Sequence, residues 1–189
     1  MKRAVILHAM EQNSHGHWYP WLKTELEKRG YEVFVPNLPS PNLPSTEEMT
    51  AYFLDQTDWD FSDNLVVGHS SGAVEVLYLL QALGPRVKIN CGVLVGSFEK
   101  PVTGMEAQHA KMFNSPLNFQ EAKLHAKRLL FVHGDDDPWC PLEGAKHLAE
   151  LTDAELVVVP GGKHFSTSLD PAYTEFPKLL QILEERDLV

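Results

Sequence analysis

Six short apolar runs, separated by stretches with helical periodicity, constrain the fold of this 189-residue chain more than any other feature. The runs fall at 4–7, 32–35, 65–67, 92–95, 129–132 and 156–159, and most are continuous rather than alternating. Strands of that kind are covered on both faces, as in a parallel sheet. The intervening stretches read as helices at 18–29, 46–55, 71–83, 142–151 and 173–186. In the first of these, Trp18, Leu22, Leu26 and Arg29 share one stripe, and Gly30 sits where a helix-ending glycine belongs. The pattern predicts an α/β fold with about six mostly parallel strands flanked by helices. Its length suits one domain, 1–189.

In such sheets the chemistry lies beyond the carboxyl ends of the strands. Here those ends are the Gly-, Pro-, His- and Asp-rich segments near 8–17, 36–45, 68–72, 96–105, 133–141 and 160–166. The segment 97–127, with Pro101, Gly104 and Pro116, is the one place where a small cap over the site can be built.

Composition removes several function classes. Hydrophobic residues at 43% and charged residues at 22% exclude wholesale disorder. Sixteen basic against 26 acidic residues give a formal charge of −10, and no Lys/Arg cluster offsets it. Nucleic acid and anionic membranes are therefore not expected partners. The first apolar run ends at His8, too short for a signal peptide, and no run approaches a membrane span. Two cysteines, Cys91 and Cys140, are too few for a disulfide scaffold, and a reducing cytoplasm is expected.

One motif carries chemistry. Gly68-His69-Ser70-Ser71-Gly72 follows the run at 65–67 and opens the helix at 71. This is G-x-S-x-G in the context of strand, sharp turn and helix, which lifts the Ser70 hydroxyl above the sheet. Gly68 and Gly72 let strand and helix nearly touch. The Ser71 N–H, at a helix start, points toward a developing oxyanion. A base and an acid follow in the required order. Asp135, Asp136 and Asp137 come after the fifth run, and His164 after Gly161-Gly162 and the sixth. His69, inside the turn, is read as permissive in identity. His15 and His17 lack a third ligand at a recognisable spacing, so no metal is expected. Cys140 reads as a small buried residue.

With these residues in view, the chain resembles the α/β-hydrolase superfamily. Within it, the chain is similar to the small serine hydrolases of the YdeN and retinoblastoma-binding-protein-nine type. The resemblance runs from Val5-Ile6-Leu7-His8 through Ser14–Leu22 and Asn37-Leu38-Pro39 to Gly68–Ala73, Asp136-Asp137-Pro138, Pro141 and Gly162-Lys163-His164-Phe165. It implies a single-domain α/β-hydrolase fold with a minimal cap, Ser70 as nucleophile, Asp137 as acid and His164 as base. Asp137 matches the family's His-Gly-x-x-Asp pattern; the residues alone do not separate it from Asp136. Where many relatives carry His-Gly after the first strand, this chain has His8-Ala9, and the second oxyanion donor is assigned to the Met10 N–H. The expected activity is hydrolysis of small esters, with thioesters or amides open, through an acyl-enzyme and without a cofactor. The expected partner is a small-molecule acyl substrate attacked by Ser70; Trp18, Phe98 and Trp139 are candidate linings. Peptidase or acyltransferase chemistry, or a protein-binding module on the same scaffold, are the alternatives. Neither cysteine has Leu two before and Glu two after, so a Leu-x-Cys-x-Glu partner motif is absent.

Overall fold

The computed structural model describes residues 2–56 and 58–189. Six strands, β1 (Lys2–Leu7), β2 (Tyr31–Phe34), β3 (Leu65–His69), β4 (Ile89–Val95), β5 (Ala126–Gly134) and β6 (Glu155–Val159), form one sheet. Their order is β2-β1-β3-β4-β5-β6 and every pairing is parallel. The predicted α/β architecture is therefore the one observed. β3 is buried along its whole length, while the edge strands β2 and β6 are only part-covered.

Among the described residues six α-helices cover the two faces: α1 (Tyr19–Lys28), α2 (Thr46–Leu54), α3 (Ser71–Ala82), α4 (Phe119–Leu124), α5 (Leu142–Thr152) and α6 (Pro177–Glu184). Leu22 and Leu26 of α1 and Leu179 and Ile182 of α6 pack on the face that carries Ala4, Ile6, Leu65 and Val67. Met49, Phe53, Leu77 and Leu148 pack on the opposite face with Val5, Leu7 and Val66. Alternate residues of β1 and β3 thus feed two cores, which is why these runs lack polar positions.

Two local outcomes differ from the sequence reading. The stretch 173–186 is not one helix. It divides into a 3-10 turn at Pro171–Thr174 and α6, with Phe176 at φ −140° between them. Pro177 explains the break: a proline starts a helix readily but cannot sit in its interior. The segment 97–127 is mostly turns up to 125, with the six-residue α4 as their regular element, and its last two residues already belong to β5 of the sheet.

The strand order reverses around β1: the chain runs outward to β2, then returns to place β3 on the other side. Ligands in open parallel sheets bind beyond the strand ends at such a switch point. The ends of β1 and β3 are Leu7 and His69.

Candidate active site

The turn from β3 into α3 holds Ser70 at φ 55°, ψ −117°, a region that side chains rarely adopt. Close packing enforces it. A Cβ on Gly68 would lie 2.3 Å from the Gly72 carbonyl oxygen. A Cβ on Gly72 would lie 2.5 Å from the Leu7 carbonyl oxygen. The start of α3 therefore rests directly on the end of β1. The Ser70 N–H is anchored to the Val95 carbonyl at 2.8 Å, which ties the turn to β4.

His164 reaches the same place from the β6 end. Its Nδ1 lies 2.6 Å from Asp137 Oδ2, and both side chains are buried, 4% and 0% exposed. Asp137 Oδ1 accepts from the N–H groups of Trp139 and Cys140, each at 2.9 Å. The neighbouring carboxylates have other partners. Asp136 Oδ1 accepts from the Lys163 N–H at 2.7 Å, and Asp135 Oδ1 from the Gly161 N–H at 2.8 Å. The three aspartates thus fasten successive points of the loop 161–164, and Asp137 is the one that meets the imidazole. Glycines let the ring in: a Cβ on Gly96 would stand 3.0 Å from His164 Cε1, and one on Gly134 would stand 2.2 Å from the Lys163 carbonyl oxygen.

Ser70 and His164 line one cavity of about 200 Å³ together with Ala9, Met10, His17 and Trp139. The Met10 N–H makes no hydrogen bond among the described residues, and the Ser71 N–H belongs to the first helical turn, whose donors lack intrahelical partners. Ala9 lies outside the left-handed region, so glycine is not required there; Glu11, at φ 60°, makes the turn instead.

A sequence model of a family described as serine hydrolase matches residues 4–185. The chain belongs to the serine hydrolase family. YdeN of Bacillus subtilis, described as a hydrolase, is 27% identical over 182 residues, covering 96% of this chain and 94% of YdeN. The serine hydrolase RBBP9 of Rattus norvegicus is 22% identical over 172 residues, 90% of this chain and 86% of the relative. The crystal structure of the ydeN gene product of B. subtilis superposes with a TM-score of 0.88 at 26% identity, over 98% of each chain.

Within this serine hydrolase, His69 departs from the sequence reading. It is wholly buried and hydrogen-bonded at both nitrogens. A carbonyl can only accept, so Nε2–H donates to the His164 carbonyl at 2.8 Å. Nδ1 then accepts from the Tyr19 hydroxyl at 2.8 Å, and that hydroxyl accepts from the Ala9 N–H at 3.0 Å. One polarised chain runs from the loop of Met10 through Tyr19 and His69 to the backbone of His164. Burial holds the His69 pKa well below the ordinary histidine value, which keeps the neutral tautomer this chain needs. No sequence signal marked the link, because its members are 10, 50 and 95 residues apart.

The remaining candidates have structural partners. His8 Nδ1–H donates to the Ala9 carbonyl and Nε2 accepts from the Leu38 N–H, which fixes the loop at 37–39 beside the site. His133 Nε2–H donates to the Cys140 carbonyl at 2.8 Å and braces the acid loop. His15 is exposed while His17 is buried, so the pair does not converge on one ligand. Among the described residues, ligand atoms of Asp137, Cys140 and His164 approach within 4.8 Å. Asp137 and His164 are bonded to each other there, and burial drives the Cys140 thiol pKa well up, so no thiolate is offered. Trp18 is fully buried in the core and lines no wall of the cavity; Trp139 does.

No helix among the described residues is long and apolar enough to cross a membrane.

Proposed function

We propose that this serine hydrolase is a carboxylesterase of small acyl substrates acting through Ser70, His164 and Asp137. The observation that carries this reading is the buried Asp137–His164 contact of 2.6 Å, facing the cavity that Ser70 enters from its strained turn. Ser70 Oγ attacks the ester carbonyl carbon while His164 Nε2 takes its proton. The tetrahedral oxyanion is held by the N–H groups of Ser71 and Met10. The C–O bond to the alcohol breaks as His164 returns the proton to the leaving oxygen. Water, deprotonated by the same imidazole, then attacks the acyl-Ser70 ester and releases the acid. Asp137 fixes the imidazole with Nδ1 protonated and stabilises its charged form.

The chemistry draws on no cofactor or metal. The turns and α4 of 97–127 act as the minimal cap. The two unpaired, buried thiols, with Cys91 pushed up to about 12, suit a reducing cytoplasm.

A fluorophosphonate probe tests this directly. Intact mass and peptide mapping are expected to place the label on Ser70, with none in Ser70→Ala. Folded wild-type protein that takes no label overturns the reading in favour of a binding module.

A further inference from the structure

The cavity of Ser70 is too small to be the whole site. At about 200 Å³ it falls below the roughly 300–1,000 Å³ usual for small-molecule sites. A second, largely apolar cavity of about 320 Å³ lies against it. Val102, Met105 and Trp139 line both, so these residues stand between the two. Beyond that wall lie Phe98, Pro138 and Pro141, with Gly144 of α5 and the charged Glu99, Lys100 and Glu143 also in the lining. Taken together the two cavities fall within the usual range.

The walls of the Ser70 cavity are chemically unequal. Val102, Met105 and Trp139 form its apolar side. His17, Ser166, Ser168 and Gln12 form a polar side, Glu11 is the one carboxylate beside Gln12 in the lining, and no lysine or arginine lines it to pair with an anionic substrate. Ser166 and Ser168 belong to the segment that follows His164, and Thr167 of the same segment holds His17 Nδ1 at 2.8 Å. His164 touches the apolar side too, its ring edge-on to Trp139 at 5.0 Å between centroids, so the polarity of the walls orients the ester, and a hydroxylated alcohol matches the polar side. The acyl chain then runs the other way, toward Trp139.

Resting on the esterase reading above, we propose that the second cavity is the seat of the acyl tail, and that Trp139 is the partition the chain passes. The substrate class is a neutral ester of a medium-length, unbranched acid with a hydroxylated alcohol.

Gly144 allows a test away from the reacting atoms. A Cβ there would meet nothing closer than Glu99 Cγ at 3.7 Å, so a side chain can grow into the cavity from its floor. Leucine also suits a helix better than glycine does, so Gly144→Leu is expected to fold. The ratio of kcat/KM for p-nitrophenyl octanoate to that for p-nitrophenyl acetate is read in wild type and variant. Gly144→Leu is expected to lower this ratio at least about tenfold, since even one misplaced methylene in an apolar pocket costs that order. Thr103→Trp, which fills the same cavity from the loop, is expected to act in the same direction. A ratio unchanged in both variants overturns the acyl-tail assignment while leaving the esterase reading intact. So does a length dependence that follows the alcohol of alkyl acetates instead. A wild type that hydrolyses neither p-nitrophenyl ester overturns the esterase reading and this assignment with it.

Discussion

At the scale of single residues, three adjacent aspartates are separated by their partners. Asp137 is the one whose carboxylate meets an imidazole; Asp136 meets a backbone N–H. Asp137→Asn is expected to lower kcat by roughly 10⁴-fold, because an amide in that place favours the wrong tautomer. Asn at 136 still presents an oxygen to the Lys163 N–H, so Asp136→Asn is expected to change kcat by less than about tenfold. Steady-state kinetics of the two variants side by side decide the matter; equal losses would remove Asp137 from its role. The Tyr19–His69 chain makes a second prediction. Tyr19→Phe strands the buried Ala9 N–H and the His69 Nδ1, at roughly 1–3 kcal/mol of stability. If the chain positions both the Met10 donor and His164, kcat falls by about a hundredfold well below the melting temperature, while KM moves little. A variant that melts earlier but turns over at the wild-type rate would show the chain to be scaffolding alone.

At the scale of elements, α3 carries both the elbow and a buried acid. Glu75 is fully buried, accepts from the Thr50 hydroxyl at 2.7 Å, and leaves Oε2 without a partner among the described residues. Burial raises its pKa well above 4.5, so the folded protein holds the proton that the unfolded chain gives up. For a raised pKa, the associated stability is fully present below 4.5 and is lost as pH rises through the folded-state value. Glu75→Gln keeps the bond to Thr50 and has no proton to lose. It is therefore expected to be more stable than wild type at pH 8, with the difference shrinking toward pH 4. Thermal melts across that range check it, and a gap that grows on acidification would contradict it. The contact between α3 and β1 is tested at Gly72. With backbone oxygens 2.5 and 2.7 Å from a new Cβ, Gly72→Ala forces α3 off the sheet. A loss of about 3 kcal/mol is expected, the upper end for overpacking. At this size that lowers the melting temperature by roughly 6–12 °C.

At the scale of the whole molecule, the site exists because the strand order reverses at β1. That reversal opens a crevice between the ends of β1 and β3, and Ser70 stands over it. Five separate segments, near 9–17, 69–70, 102–109, 139–140 and 164–168, then converge on one cavity. The alternation of apolar runs and helices was legible in the chain because it is local: it reflects periods of burial within a few residues. The elbow and His164 were legible for a similar reason, since glycine spacing records close packing at each turn. The helix break before α6 was equally local, and Pro177 was the signal that could have placed it.

By itself, the sequence determined the parallel α/β sheet, the strand-end location of the candidate site and the serine and histidine offered there. Each follows from short-range patterning of polarity, glycine and turn residues. The tertiary structure alone decided that Asp137 rather than Asp136 meets His164, that His69 is a buried link instead of a permissive filler, and that a second apolar cavity lies behind Trp139. Those outcomes depend on distances between segments from 10 to 95 residues apart, and no periodicity along a chain encodes such distances until the sheet has closed around them.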